Sequence, residues 1–277
     1  MTVVDTHTHA GVNWFEPVEM LLYQMTLNQV DHAVLIQHGR PEYGTYDHSY
    51  LYECVERFPG KFNIVVIVDS DKKDSLRKLE EHKEKGAVGV RLTATTRSPG
   101  PDQFAIWRKA AELDMVVSCM GTVDDFSSDQ FAELVSEFPT IPIIIEHLAG
   151  GGEGSAFPRN GKAPVSPFSK YKKAMQLGDF GNIYLKIHGL GEFNIRPNAL
   201  KEKFDRNFFD DIPPLLEMAK DAFGYKKIMW GSDYPPVSGR EGYRNAMKTG
   251  MENSVFAEPA EIEWIMGGTA LTLFNFV

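Results

Sequence analysis

Short apolar runs recur along the chain with amphipathic stretches between them. The runs are Thr2–His7, His32–His38, Phe62–Val68, Ala87–Leu92, Met115–Cys119, Ile141–His147, Asn182–His188 and Lys226–Gly231. They are rich in Val and Ile and nearly continuous in apolar character, the pattern of strands covered on both faces. Between them, Asp71–Lys85, Asp102–Leu113, Ser128–Phe138 and Phe208–Phe223 carry helical spacing. Met20, Leu21 and Met25, and likewise Phe131, Leu134 and Phe138, are spaced as core-facing helix stripes, and Asp47 is placed to cap the helix through Tyr50 and Leu51. Strands alternating with helices predict βαβ units and a parallel sheet. Eight repeats in 277 residues predict a closed (β/α)8 TIM barrel occupying residues 1–277 as one domain. No glycine-rich dinucleotide fingerprint or phosphate loop follows any strand, which removes the commonest reason for an open doubly wound sheet. One stretch, LAGGGEGSAFPRNGKAPVSP from Leu148 to Pro167, is too rich in Gly and Pro for either element and reads as a functional loop above the barrel mouth.

Composition narrows the partners. With 38 acidic against 29 basic residues the formal charge is -9, which repels phosphate backbones and points away from nucleic acid toward a small-molecule substrate. No apolar run approaches the ~18 residues needed to span a bilayer, so no membrane partner is expected. The first basic residue is Arg40 and the only cysteines are Cys54 and Cys119; without a charged leader or a disulfide framework, the expected setting is the cytoplasm. A homo-oligomer is compatible with the sequence but not specified by it.

Five of the eight histidines fall at strand ends: His7 with His9, His38, His147 and His188 close the first, second, sixth and seventh runs. That rim is where (β/α)8 enzymes keep their chemistry, because side chains of successive strand ends converge there. His7 and His9 are two apart and point to one side. Asp233, just past the last strand in KIMWGSDYP, offers a carboxylate beside the imidazoles, as a general base, a metal ligand or merely a helix cap. Arg91 in VGVRLT could clamp a substrate carboxylate or pair with a neighbouring acid. Lys186 and His188 share one face of strand seven with Tyr184; a buried lysine needs a partner, either a carboxylate in the site or a structural ion pair, while His188 reads as a substrate contact. His38, with Tyr46, Asp47 and His48, could line the same mouth, whereas His82 reads as a solvated side chain of a charged helix.

These residues, the HxH on strand one, the histidine ending strand six and the aspartate ending strand eight, resemble the amidohydrolase superfamily, specifically its amidohydrolase-2 branch. The C-terminal IMGGTALTLF is similar to that branch's closing segment, with Thr269 where asparagine is frequent. QHGRPEYGTYDHSYL from Gln37 and GAVGVRLT from Gly86 look like the subgroup containing sugar lactonases and the dicarboxylate lactonase of pyrone breakdown. Metal-dependent members carry a ligand histidine ending strand five, but here MVVSCMG offers Ser118, Cys119 and Met120, with an ionised Cys119 as a chemically competent substitute. The resemblance therefore implies a metal-independent lactonase with no cofactor required. In that scheme Asp233 is the general base, His7, His9 and His147 donate to the carbonyl oxygen, and the pH optimum is neutral to alkaline. The competing readings are a metal-dependent amidohydrolase or decarboxylase with zinc on His7, His9 and Asp233, joined by His147, and a binding-only barrel.

Overall fold

The computed structural model describes residues 1–11, 16–39, 44–151, 164, 166–189 and 214–276. All eight apolar runs contain strands: β1 Val4–Thr8, β2 His32–Ile36, β3 Phe62–Val66, β4 Gly89–Thr93, β5 Val116–Met120, β6 Ile143–Ile145, β7 Ile183–Ile187 and β8 Ile228–Trp230. They pair in parallel in sequence order, giving the (β/α)8 TIM barrel that the alternation predicts. β2, β6 and β7 end one to two residues before their apolar runs do, so His38, His147 and His188 stand just beyond them, on the rim. Past β8 the barrel closes on β1 through two backbone hydrogen bonds: the Asp233 amide donates to the His7 carbonyl at 2.9 Å and the His9 amide to the Tyr234 carbonyl at 2.8 Å.

Strand parity divides the apolar residues into two layers. Outward-facing Ala33, Leu35, Ile64, Val90, Val117, Ile143, Leu185 and Trp230 pack under the helices, while Val4, Val34, Ile36, Val65, Val116, Ile144 and Met229 fill the barrel floor with Ala270 and Phe274. β1 breaks the alternation. Between Asp5 and Thr8 its register against Ala33 and Leu35 slips, leaving one extra residue on β1. Such a bulge re-aims side chains, and here Val4 belongs to the floor while His7, three residues on, still faces the interior.

The helices occupy the expected stretches with shorter ends: Ser75–Glu84, Ala105–Glu112, Asp129–Glu137 and Leu215–Phe223. Ser128 caps one of them, its hydroxyl accepting from the Phe131 amide; Asp47 accepts from the Ser49 amide at 3.0 Å, but His48 and not Asp47 occupies the cap position of the helix Ser49–Arg57. Phe131, Leu134 and Phe138 are buried as predicted, and so are Leu21 and Met25, but Met20 is 44% exposed and does not belong to the core stripe. The start of the Phe208–Phe223 stretch and most of the Leu148–Pro167 loop lie outside the described residues. No helix among the described residues is long and apolar enough to cross a membrane.

Candidate active site

Above the apolar floor the barrel interior turns polar. β1 contributes His7, β4 Arg91, β5 Ser118 and β7 Lys186, each on the inward parity, and Glu146 and His147 follow β6. Glycine makes room for the first of these: a Cβ at Gly231 would stand 2.6 Å from the His7 Cβ. His7 lies at the centre, its ring centroid 5.0 Å from His9, 5.1 Å from His147 and 4.7 Å from His188. His147 and His188 stack at 4.1 Å.

A chain of ion pairs runs beneath these rings. Arg91 donates through Nε and Nη2 to Glu146 Oε2, at 3.2 and 2.7 Å. Ser118 Oγ donates to Glu146 Oε1 at 2.6 Å, and Lys186 Nζ lies 3.3 Å from both Ser118 Oγ and His7 Nδ1. Burial pushes the Glu146 carboxyl up, but the charges of Arg91, Lys186 and His147 outweigh it and hold the group well below the usual carboxylate range. Burial lowers Lys186 to about 8 against the opposing pull of Glu146. Burial and the Lys186 charge keep His7 far below an ordinary histidine, and burial with His147 does the same for His188, so both rings are neutral at neutral pH.

Asp233 closes the cluster. Its Oδ1 is 3.7 Å from His7 Nε2 and 3.6 Å from His9 Nε2, and Oδ2 accepts from Arg240 Nη1 at 2.8 Å. Burial would raise its carboxyl, but the His9 ring and the Arg240 guanidinium hold it well below the usual range. Its backbone is left-handed, φ 58°, a conformation that aspartate and asparagine tolerate better than most residues. Below it, Asp5 accepts from the His7 and Ser232 amides at 3.2 and 2.8 Å and from the Tyr243 hydroxyl at 2.7 Å. Burial outweighs those bonds and pushes Asp5 up to about 6.

After β6 the chain makes an uncommon turn. His147, Leu148, Ala149 and Gly150 all have positive φ, from 52° to 69°, a left-handed turn that costs roughly 1–2 kcal/mol per non-glycine residue. It carries the His147 ring back over His7 and His188. Gly150 has no space for a side chain, since a Cβ would meet the Val123 nitrogen at 2.6 Å and the Thr122 carbonyl carbon at 2.7 Å. Gly150→Ala is expected to lose about 1–3 kcal/mol of stability, as overpacking against backbone does; an unchanged urea midpoint would contradict this.

The structure brings His7, His9, His147, His188, Lys186, Arg91 and Asp233 together. His38 is buried near His48, whose Nε2 accepts from the Ile67 amide at 3.0 Å and whose ring packs 4.4 Å from His82. His82 is therefore not a solvated side chain; its Nδ1 lies 2.8 Å from the Tyr52 hydroxyl. Of the two roles open to Arg91, the ion pair is the geometry found. Cys119 is no substitute ligand: it faces outward into the helix layer and burial pushes its thiol well above the ordinary value. Three participants went unread. Glu146 had a signal, since an acid two residues after Ile144 in IIIEH shares the inward face. Ser118 had the same parity, but Arg240 arrives from a turn after β8 and has no such mark.

Among the described residues, two groups could hold a cation by proximity: His7, His9 and Asp233, and His7, His147 and His188, the ligand atoms of each lying within 4.8 Å of one another. Proton placement separates the rings. His9 Nδ1 faces the Ile36 carbonyl at 2.7 Å and His188 Nδ1 the Gly231 carbonyl at 2.9 Å, so both donate from Nδ1, and the neutral His188 presents a lone pair on Nε2, as metal-binding histidines do. His7 Nδ1 faces an ammonium, which only donates. The proton of neutral His7 therefore sits on Nε2, and as arranged this shared member of both groups does not fit a metal ligand.

Sequence comparison agrees with the architecture. The profile of the amidohydrolase family matches residues 4–276. The chain belongs to the amidohydrolase family. A solved Acinetobacter baumannii structure, provisionally named a 2-pyrone-4,6-dicarboxylic acid hydrolase and holding citric acid, shares this barrel at 18% identity and a TM-score of 0.71, with 100% of each chain covered. A Burkholderia multivorans amidohydrolase with bound zinc shares it at 16% identity and a TM-score of 0.70, with 99% of each chain covered. A protein of Sinorhizobium fredii named uncharacterized protein y4mH is 30% identical over 108 residues, a match spanning 39% of this amidohydrolase and 30% of that protein's length.

Proposed function

We propose that this amidohydrolase is a metal-independent lactonase that opens a small anionic or sugar-derived cyclic ester in the cytoplasm. One observation carries the reading: His7 Nε2 is buried without a hydrogen-bond partner among the described residues and stands 3.7 Å from Oδ1 of the ionised Asp233. An unpaired buried donor is costly unless something else completes it, and a carbonyl oxygen acquiring negative charge is the acceptor it suits.

In this scheme Asp233 takes a proton from water as the oxygen bonds to the lactone carbonyl carbon. The carbonyl electrons move onto its oxygen, held by His7 Nε2–H with His9 and His147 alongside. Collapse breaks the ring C–O bond, and Asp233 returns its proton to the leaving alkoxide, giving a hydroxy acid. His188 presents its Nε2 lone pair to the same space and is a substrate contact. Arg91 and Lys186 serve the network beneath the rings rather than the substrate. The citric acid in the Acinetobacter structure supports an anionic substrate, although it belongs to a different protein.

A second reading rests on the proximity of His7, His9 and Asp233 and on the zinc of the Burkholderia relative: a zinc-dependent hydrolase or decarboxylase of the same branch. Protein stripped with a chelator, its metal content verified as negligible, decides between them against a panel of sugar and dicarboxylate lactones. Turnover unchanged by added zinc is the expected result. Turnover that appears only with zinc overturns metal independence.

A further inference from the structure

We propose that Lys186 is a positioning residue that fixes the His7 proton on Nε2, so that this nitrogen donates toward the site and cannot ligate a cation. The inference deepens the lactonase reading, but its argument rests on hydrogen-bond polarity alone.

The direction of every bond in the buried chain follows from its charged ends. A carboxylate only accepts and an ammonium or guanidinium only donates. Glu146 accepts from Arg91 on Oε2 and from Ser118 on Oε1, at 2.7 and 2.6 Å. Ser118, having donated, is left to accept from Lys186 at 3.3 Å. The other contact of Lys186 is His7 Nδ1, also at 3.3 Å, and Nδ1 accepts there with its lone pair. The remaining neighbour of Nδ1 on this side, Glu146 Oε1, is 3.8 Å away, beyond hydrogen-bond reach. A neutral imidazole carries one N–H, and His7 has its own on Nε2.

Lys186 thus makes His7 the opposite of its neighbours. His9 and His188 direct Nδ1–H at backbone carbonyls. His7 is the member common to both groups of potential metal ligands, so one lysine withholds a ligand from each. Without the ammonium, Glu146 Oε1 is the acceptor nearest to Nδ1 on this face, and the His7 proton would move to Nδ1 and leave a lone pair on Nε2.

The primary test uses the unaltered protein. In a sample with ¹⁵N-labelled histidine, the His7 signals, assigned by their loss in His7→Gln, are expected to report the Nε2–H tautomer. An Nδ1–H tautomer for His7 overturns the proposal, and this arm needs neither substrate nor a folded Lys186 variant. Lys186→Met, which preserves an unbranched apolar stem, supplies the second arm. Calorimetric titration of chelator-stripped protein with zinc is expected to show at least tenfold tighter binding in Lys186→Met than in the parent, lost again in Lys186→Met/His7→Gln. Equal zinc affinity in folded parent and Lys186→Met also overturns it. Neither readout measures lactone turnover, so the proposed activity can fail while this assignment stands, and the reverse.

Discussion

Replacing Asp233 by asparagine is expected to lower kcat/KM for lactone hydrolysis by about 10²- to 10⁴-fold, the usual contribution of a general base. The substitution is a clean one. Asparagine tolerates the left-handed backbone of φ 58° found at this position, and its side-chain carbonyl can still accept from Arg240. The fold should therefore persist, which a thermal midpoint close to the parent's would verify, and the loss would then report the missing proton acceptor. Because Asp233 is held well below the usual carboxylate range, the parent should keep its base ionised as pH falls. The acid limb of its kcat/KM profile is expected below the ~4 of an ordinary aspartate. Activity of Asp233→Asn within tenfold of the parent would remove Asp233 from the mechanism.

Arg91→Met is expected to cost about 3–5 kcal/mol of stability, because it strands the Glu146 carboxylate in the barrel. The Arg91 and Glu146 side chains are 9% and 0% exposed, so solvent offers little screening. Urea unfolding of parent and variant gives the difference directly. Its pH dependence identifies the cause. With a depressed folded value, Glu146 contributes stability in full above its unfolded value of ~4.3 and loses that contribution as pH falls toward the folded one. Without Arg91 the folded value rises, so the gap between parent and variant should be widest near neutrality and narrow below about pH 4. A variant of unchanged stability but raised KM would instead make Arg91 a substrate clamp.

The fold and the centre of the site were legible because both obey short-range rules. Apolar runs separated by helical spacing locate all eight strands, and period-two alternation sets Arg91 opposite Val90 and puts Lys186 on one face with His188, whereas His7 faces inward because the β1 bulge breaks that alternation. What escaped reading depends on long-range geometry. No pattern in the sequence marks the β1 bulge, the left-handed path from His147 to Gly150, or the reach of Arg240 back to Asp233. The pairing of Arg91 with Glu146 reaches across β5, from β4 to the residue after β6, and so depends on the curvature of the sheet. The setting of His48 and His82 escaped for a related reason: their rings pack 4.4 Å apart, a contact between distant segments that neither shows alone.

The seam where the barrel closes also dictates when chemistry becomes possible. The hydrogen bond from the Ser232 amide to Asp5 joins residues 227 positions apart, and the base and its histidines sit on either side of that join. Closing so long a loop is entropically mild, about 0.6 kcal/mol for each doubling of length, but it requires the first and last strands to meet. A chain arrested during synthesis before Asp233 emerges, or a refolding intermediate with an open barrel, therefore holds the histidines without the base. Such species are catalytically silent, and the recovery of turnover during refolding clocks the docking of the last strand rather than the collapse of the core.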